Sequence, residues 1–139
     1  MKSKQVLSIE QMRHLQELGL DTSDASMYWV RRSHGSRIDD ESKGEWFLSL
    51  QKEFMVCGFT SYEALPTYTL QDILDKLPPS IGNNTLTLQR HGDKWMCLYI
   101  EPYTRYSLHM EIKEKCIYAA YEMLCWAIKQ EYSQLNKER

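Results

Sequence analysis

The sequence predicts an α+β fold: an antiparallel sheet of about five strands packed by an N-terminal helix, a short central helix and a long C-terminal helix. Three observations carry this. From Lys115 to Tyr132, the residues Ile117, Ala120, Tyr121, Leu124 and Ile128 recur at helical spacing, while Lys115, Glu122, Lys129 and Gln130 fall mostly on the other side. From Thr85 to Ile100, two strand-like runs flank the turn residues His91-Gly92-Asp93. The links between successive strands are short, which favours antiparallel pairing, and helices laid on such a sheet give a layered α+β domain.

Taken in order, Ser8 opens the first helix. Its hydroxyl can accept from the backbone three residues on, and Gln11 can reach back, so Ser8-Ile9-Glu10-Gln11 is a capping box. Ile9, Met12, Leu15 and Leu18 form its apolar face, and Gly19 supplies the left-handed position that ends it. Met27-Tyr28-Trp29-Val30 reads as a strand. The segment 31–45 loses periodicity and reads as a polar loop, with Arg31, Arg32, His34 and Arg37 followed by Asp39, Asp40 and Glu41. Trp46 to Leu50 resumes as a strand that forms a hairpin with 27–30. Phe54 to Phe59 is short and apolar, with a bend at Gly58.

Pro66 holds Leu65 extended. Thr69 caps a short helix with Asp72 at its third position; Leu70, Ile73, Leu74 and Leu77 face inward, and Pro78-Pro79 stops it. Thr85 to Gln89 and Trp95 to Ile100 are the hairpin strands. Tyr106 to Ile112 alternates again, with Leu108, Met110 and Ile112 on one face. The long helix follows, and residues 134–139 read as a frayed polar tail.

A chain of 139 residues is expected to be one domain, 1–139, able to bury roughly 68–70% of its unfolded surface without a disulfide or metal. The hydrophobic fraction of 42% and charged fraction of 26% are ordinary for a globular protein. Nine Tyr and four Trp leave some rings at the surface, where they form a core rim or an interface. The net charge of −2 argues against a general polyanion binder. The first residues lack the apolar run of a signal peptide, and no stretch is apolar enough to span a membrane, so no membrane association is expected. Cys57, Cys97, Cys116 and Cys125 are widely spaced in apolar contexts and read as reduced, buried small hydrophobes; a cytoplasmic location is the resulting expectation.

Specific chemistry is weakly signalled. No two cysteines have zinc-knuckle spacing, and Cys116 and Cys125 lie about 180° apart on one helix, so no metal site is expected. Cys57 and Cys97 sit in contexts that bury a thiol and make it inert, so no catalytic residue is expected among them. Asp72, Asp75 and Glu101 form no recognisable carboxylate pair. The six glycines are dispersed, and Gly82-Asn83-Asn84 precedes a strand rather than a helix, so no phosphate-binding loop and no cofactor are expected.

Two surfaces remain. Arg31, Arg32 and Arg37, with Trp29 and Trp46 at the base of their loop, have the residue types that hold phosphates and stack a base; the acidic residues that follow at once make the loop self-neutralising. Tyr118 and Trp126 lie off the main apolar stripe of the C-terminal helix. They are either core or the anchors of an interface with a protein partner or a second copy of the chain.

Several segments carry a resemblance. Leu7 to Met12, Leu18 to Ser23, Tyr68-Thr69-Leu70-Gln71-Asp72-Ile73-Leu74-Asp75-Lys76-Leu77-Pro78 and Ala119-Ala120-Tyr121-Glu122-Met123-Leu124-Cys125-Trp126 resemble a group of small uncharacterised proteins encoded by prophage-like or mobile elements of gut bacteria. The resemblance covers most of the chain outside 31–45. More loosely, the layout of helix, hairpin and closing helix is similar to phage sandwich domains. The group has no assigned activity, so the resemblance implies an accessory role and transfers no functional residue. The expectation is a non-enzymatic binding or assembly domain acting on another protein or on itself, with weak nucleic-acid binding through 31–37 as the alternative.

Overall fold

The computed structural model describes residues 6–34, 44–50 and 61–131. In chain order the described elements are α1 (Ile9–Glu17), β1 (Met27–His34), β2 (Phe47–Ser49), β3 (Ser61–Thr67), α2 (Leu70–Lys76), β4 (Ser80–Ile81), β5 (Asn84–His91), β6 (Lys94–Ile100), β7 (Ser107–Lys113) and α3 (Cys116–Lys129). The class is α+β with antiparallel pairing throughout, as expected. The sheet is not single. The described strands form a three-stranded sheet, β2-β1-β3, and a four-stranded sheet, β4-β5-β6-β7.

The division falls at α2. Strands before it pair among themselves, and the strands after it form a meander whose neighbours are all consecutive. Two strands are added, β3 and the two-residue β4; β3 pairs with β1 over its length, Trp29 opposite Leu65 and Arg31 opposite Glu63. Pro66 lies inside it, opposite Tyr28. A proline lacks the N–H a central strand needs, and among the described strands β3 lies at the edge of its sheet, where a proline is tolerated. The hairpin of β1 with β2 is present, Val30 opposite Phe47. But β1 runs four residues beyond Val30, so Arg31 and Arg32 stand on a strand rather than in a loop, and the Gly44 N–H donates to the Arg32 carbonyl at 3.1 Å. The apolar run 54–59, Cys57, Arg37 and the tail 134–139 lie outside the described residues.

Local signals set the shorter helices. Ser8 and Gln11 exchange both capping-box hydrogen bonds, at 2.9 and 3.1 Å, and Gly19 takes φ +100°, the conformation that releases the chain from α1. Thr69 and Asp72 form the same box at α2, at 3.0 and 3.1 Å. Asp72 also accepts from the Ser26 N–H at 3.1 Å and the Ser26 hydroxyl at 2.5 Å, which pins the segment after α1 to the start of α2.

The core forms around α3. Ile117, Ala119, Ala120, Tyr121, Met123, Leu124, Cys125, Ala127 and Ile128 are all buried. A helix apolar nearly all round must be covered on several sides. The four-stranded sheet covers one through β6 and β7, α2 packs on another, and His14 of α1 brings its ring to 6.4 Å from Tyr121. Tyr118, Glu122 and Lys129 fall within about 40° of azimuth and form the narrow outward strip. Cys97 and Tyr99 of β6 join this core, and the Tyr99 hydroxyl donates to the Pro78 carbonyl at 2.7 Å. The three-stranded sheet is tied in through Leu7, whose carbonyl accepts from Trp29 Nε1 at 2.9 Å and from the Thr67 hydroxyl at 2.7 Å. Among the described residues no buried side-chain polar atom lacks a partner, the condition that a native interior meets.

Candidate binding cleft

Trp29 and Arg31 are two apart on β1 and therefore share a face. That face looks toward the first turns of α1. Trp46, just before β2, closes one side, and Tyr118 reaches in from the outward strip of α3. Together with Val6, Ser8, Ile9, Glu10, Gln11 and Arg13 these residues line a cleft of about 670 Å³, a size that suits side chains or a small ligand.

The polar groups of the cleft are partly satisfied. Arg31 Nε lies 2.6 Å from Glu63 Oε1 on the neighbouring strand, and the guanidinium stands 4.5 Å from the centre of the Trp46 ring. A half-exposed ion pair of this kind is worth about 0–1 kcal/mol, and the ring contact adds about 0.5–1 kcal/mol. Both hold Arg31 flat and occupy its charge. Arg13 is exposed and makes no ion pair with a described residue. Tyr118 keeps 37% of its surface exposed, enough to present a ring edge to an occupant.

The residues singled out by sequence therefore separate. Arg31 and Tyr118 meet in one cleft. Arg32 falls on the opposite face of β1 and is exposed. Trp126 is remote from the cleft: its ring stacks on His109 of β7 at 4.2 Å and 4° and lies 6.3 Å from Tyr99. Arg13, Ile9 and Val6 were not legible as site residues. Ile9 and Arg13 are four apart on α1, so one helix face carries both into the cleft, but only the long-range docking of α1 beside β1 gives that spacing a meaning.

A second cleft, of about 640 Å³, lies where the starts of α2 and α3 meet the β5–β6 turn; Arg90, Asp93, Glu114 and Lys115 give it mixed charge, and Arg90 stands 5.1 Å from the Trp95 ring centre. The described thiols are quiet. Burial, with smaller contributions from Cys116 and Glu111, pushes Cys97 up to about 12. Burial pushes Cys125 up to about 11 and raises Cys116 as well. Thiols so shifted stay protonated near neutrality and are poor nucleophiles. Among the described residues no three His, Cys, Asp or Glu side chains gather in a way that could hold a metal ion, and no helix is long and apolar enough to cross a membrane.

Comparison of the chain with family models, with curated proteins and with solved structures gives no match.

Proposed function

We propose that this chain is a non-enzymatic binding and assembly domain whose protein partner docks in the cleft of Trp29, Trp46 and Tyr118. One observation carries this reading: three aromatic rings and two guanidinium groups from four separate stretches of chain line a single concavity. Trp, Tyr and Arg are the residue types that dominate binding energy at protein interfaces, above all when they sit in a pocket. Because Glu63 already occupies Arg31, the charges left in the lining are those of Arg13 and Glu10, and Arg13 is the one that takes a carboxylate. The occupant that fits is a short peptide segment with an apolar or aromatic side chain for the rings and a carboxylate for Arg13. From the resemblance of segments such as Tyr68 to Pro78 alone, we infer a mobile-element accessory setting for such binding.

The test is selection of displayed random peptides on the wild-type protein, followed by binding to Tyr118→Ala and Arg13→Ala. The expected winners pair an aromatic or aliphatic residue with Asp or Glu and lose affinity for both variants. Winners that bind both variants as well as wild type would remove the cleft as the docking site.

A weaker second reading is nucleic-acid binding through Arg31 and Arg32. The guanidinium stacked on Trp46 supports it, since a stacked ring and cation can take a base. The Glu63 carboxylate at 2.6 Å opposes it, because a phosphate would have to displace that ion pair.

A further inference from the structure

The groups that line the cleft stand in a fixed order along α1. Trp29 Nε1 donates to the Leu7 carbonyl at 2.9 Å, which pins the indole beside the residue just before the Ser8 cap. Glu10 follows in the first turn of α1, and Arg13 comes three residues later. All three side chains line the cleft. Three residues of helix advance about 4.5 Å. Along the axis of α1 the order is therefore ring, anion, cation.

Neither of these charges is used inside the chain. Opposite charges three apart on a helix are neighbours and can pair. Glu10 and Arg13 do not close on each other, and neither makes an ion pair with any other described residue. Both are exposed. Arg31, the third charge of the lining, is held by Glu63 at 2.6 Å. The cleft thus offers one free carboxylate and one free guanidinium, a turn apart, beside its aromatic rings.

We propose that the partner segment is dipolar, and that Glu10 and Arg13 select it by the order of its charges: an apolar or aromatic side chain against Trp29, a Lys or Arg beside Glu10, and an Asp or Glu beside Arg13. This rests on the cleft being the docking site. In an extended segment alternate residues share a face and stand about 6.6 Å apart. The long side chains on both sides take up the difference from the helix spacing, so ring, base and acid fall at every second position. The direction of the segment is immaterial, since reversing the chain keeps the spatial order of the three side chains. Exchanging base and acid sets carboxylate against carboxylate and ammonium against guanidinium. Such repulsion of the wrong order discriminates as well as attraction of the right one. It also gives Glu10 a role that Arg13 alone lacks: the rejection of segments that are acidic throughout.

The experiment compares two blocked peptides of equal composition, acetyl-Phe-Gly-Lys-Gly-Asp-amide and acetyl-Phe-Gly-Asp-Gly-Lys-amide. Each is titrated into isotope-labelled protein while the indole N–H signals of Trp29 and Trp46 are followed. At low salt the first peptide should bind about five- to tenfold more tightly, since it makes two exposed charge pairs that the second reverses. The margin should shrink at high salt. Glu10→Lys combined with Arg13→Glu exchanges the two charges of the cleft and should invert the preference, which a merely structural effect of the substitutions would not do. The two peptides on wild type decide the matter even if that variant fails to fold. Equal affinities on wild type, with both indole signals shifting, overturn the charge-order proposal and leave the cleft as a docking site. A preference that persists unchanged in the exchanged variant also overturns it. Indole signals that move with neither peptide remove the cleft reading, and this proposal with it.

Discussion

Trp126 lies flat on His109, their rings 4.2 Å apart and 4° from parallel, and this contact joins the C-terminal helix to the edge strand of the four-stranded sheet. The imidazole is in turn held by Glu111 at 2.6 Å. Aromatic pairs contribute about 0.5–1.5 kcal/mol beyond their buried area. A double-mutant cycle of Trp126→Ala and His109→Ala, measured by urea unfolding of dilute protein, should therefore give a coupling energy of that order. Additive effects would mean that the two rings do not support each other.

The burial of α3 makes its inner and outer residues behave differently. Leu124 has no exposed surface, and its truncation to Ala leaves a cavity that should cost about 2–5 kcal/mol. Tyr118→Ala, on the outward strip, should cost less than about 1 kcal/mol. Equal costs at the two positions would contradict the placement of the helix.

Asp72 does two jobs at once, since it caps α2 and holds both polar groups of Ser26. Asp72→Ala should lower stability by about 1–2 kcal/mol. Ser26→Ala removes only one of these hydrogen bonds and should cost less. Denaturation midpoints of the two variants check the order.

These two capping boxes also show what was legible in the sequence. Ser8-to-Gln11, Gly19, Thr69-to-Asp72 and Pro78 act over three or four residues, so the ends of α1 and α2 could be read directly. The β5–β6 hairpin was legible for the same reason, its turn at His91-Gly92-Asp93 being local. β3 was not legible as a strand, because Pro66 argues against one unless it is known to be at an edge, and its partner β1 is distant in sequence. Ala119 and Ala127 hid the full burial of α3: small residues add little to an apolar pattern, yet they are what lets neighbouring elements approach closely. The cleft was half legible. Arg31, Trp29, Trp46 and Tyr118 stood out by residue type, but only the packing of α1, β1 and α3 brings them together with Arg13.

The buried thiols make stability fall in alkali. Cys97 and Cys125 are pushed up to about 12 and about 11 from the ordinary 9.0, chiefly by burial. The folded chain thus holds these protons more tightly than the unfolded chain does. The contribution is complete below 9.0 and is lost progressively as pH climbs from there to about 11 and 12. Urea midpoints should fall within that window. In native protein near neutrality, both thiols should resist alkylation mapped by peptide mass spectrometry, and both should react once the chain is unfolded.

The arginines of β1 give a test of the nucleic-acid alternative. Two phosphate contacts to a single strand contribute about 1.4 to the slope of log affinity against log salt. Because Glu63 holds Arg31, Arg31→Ala with Arg32→Ala should leave the slope for a labelled oligonucleotide unchanged, as read by fluorescence anisotropy. A drop of that size would favour the alternative.

The central claim is that a protein segment binds between Trp29 and Trp46. The four tryptophans each report from a different place, and their indole N–H resonances can be assigned by single substitution. On titration with a peptide selected as above, the Trp29 and Trp46 indole signals should shift together and saturate, while those of Trp95 and Trp126 stay in place. Shifts at Trp95 or Trp126 with Trp29 and Trp46 unmoved would contradict the account.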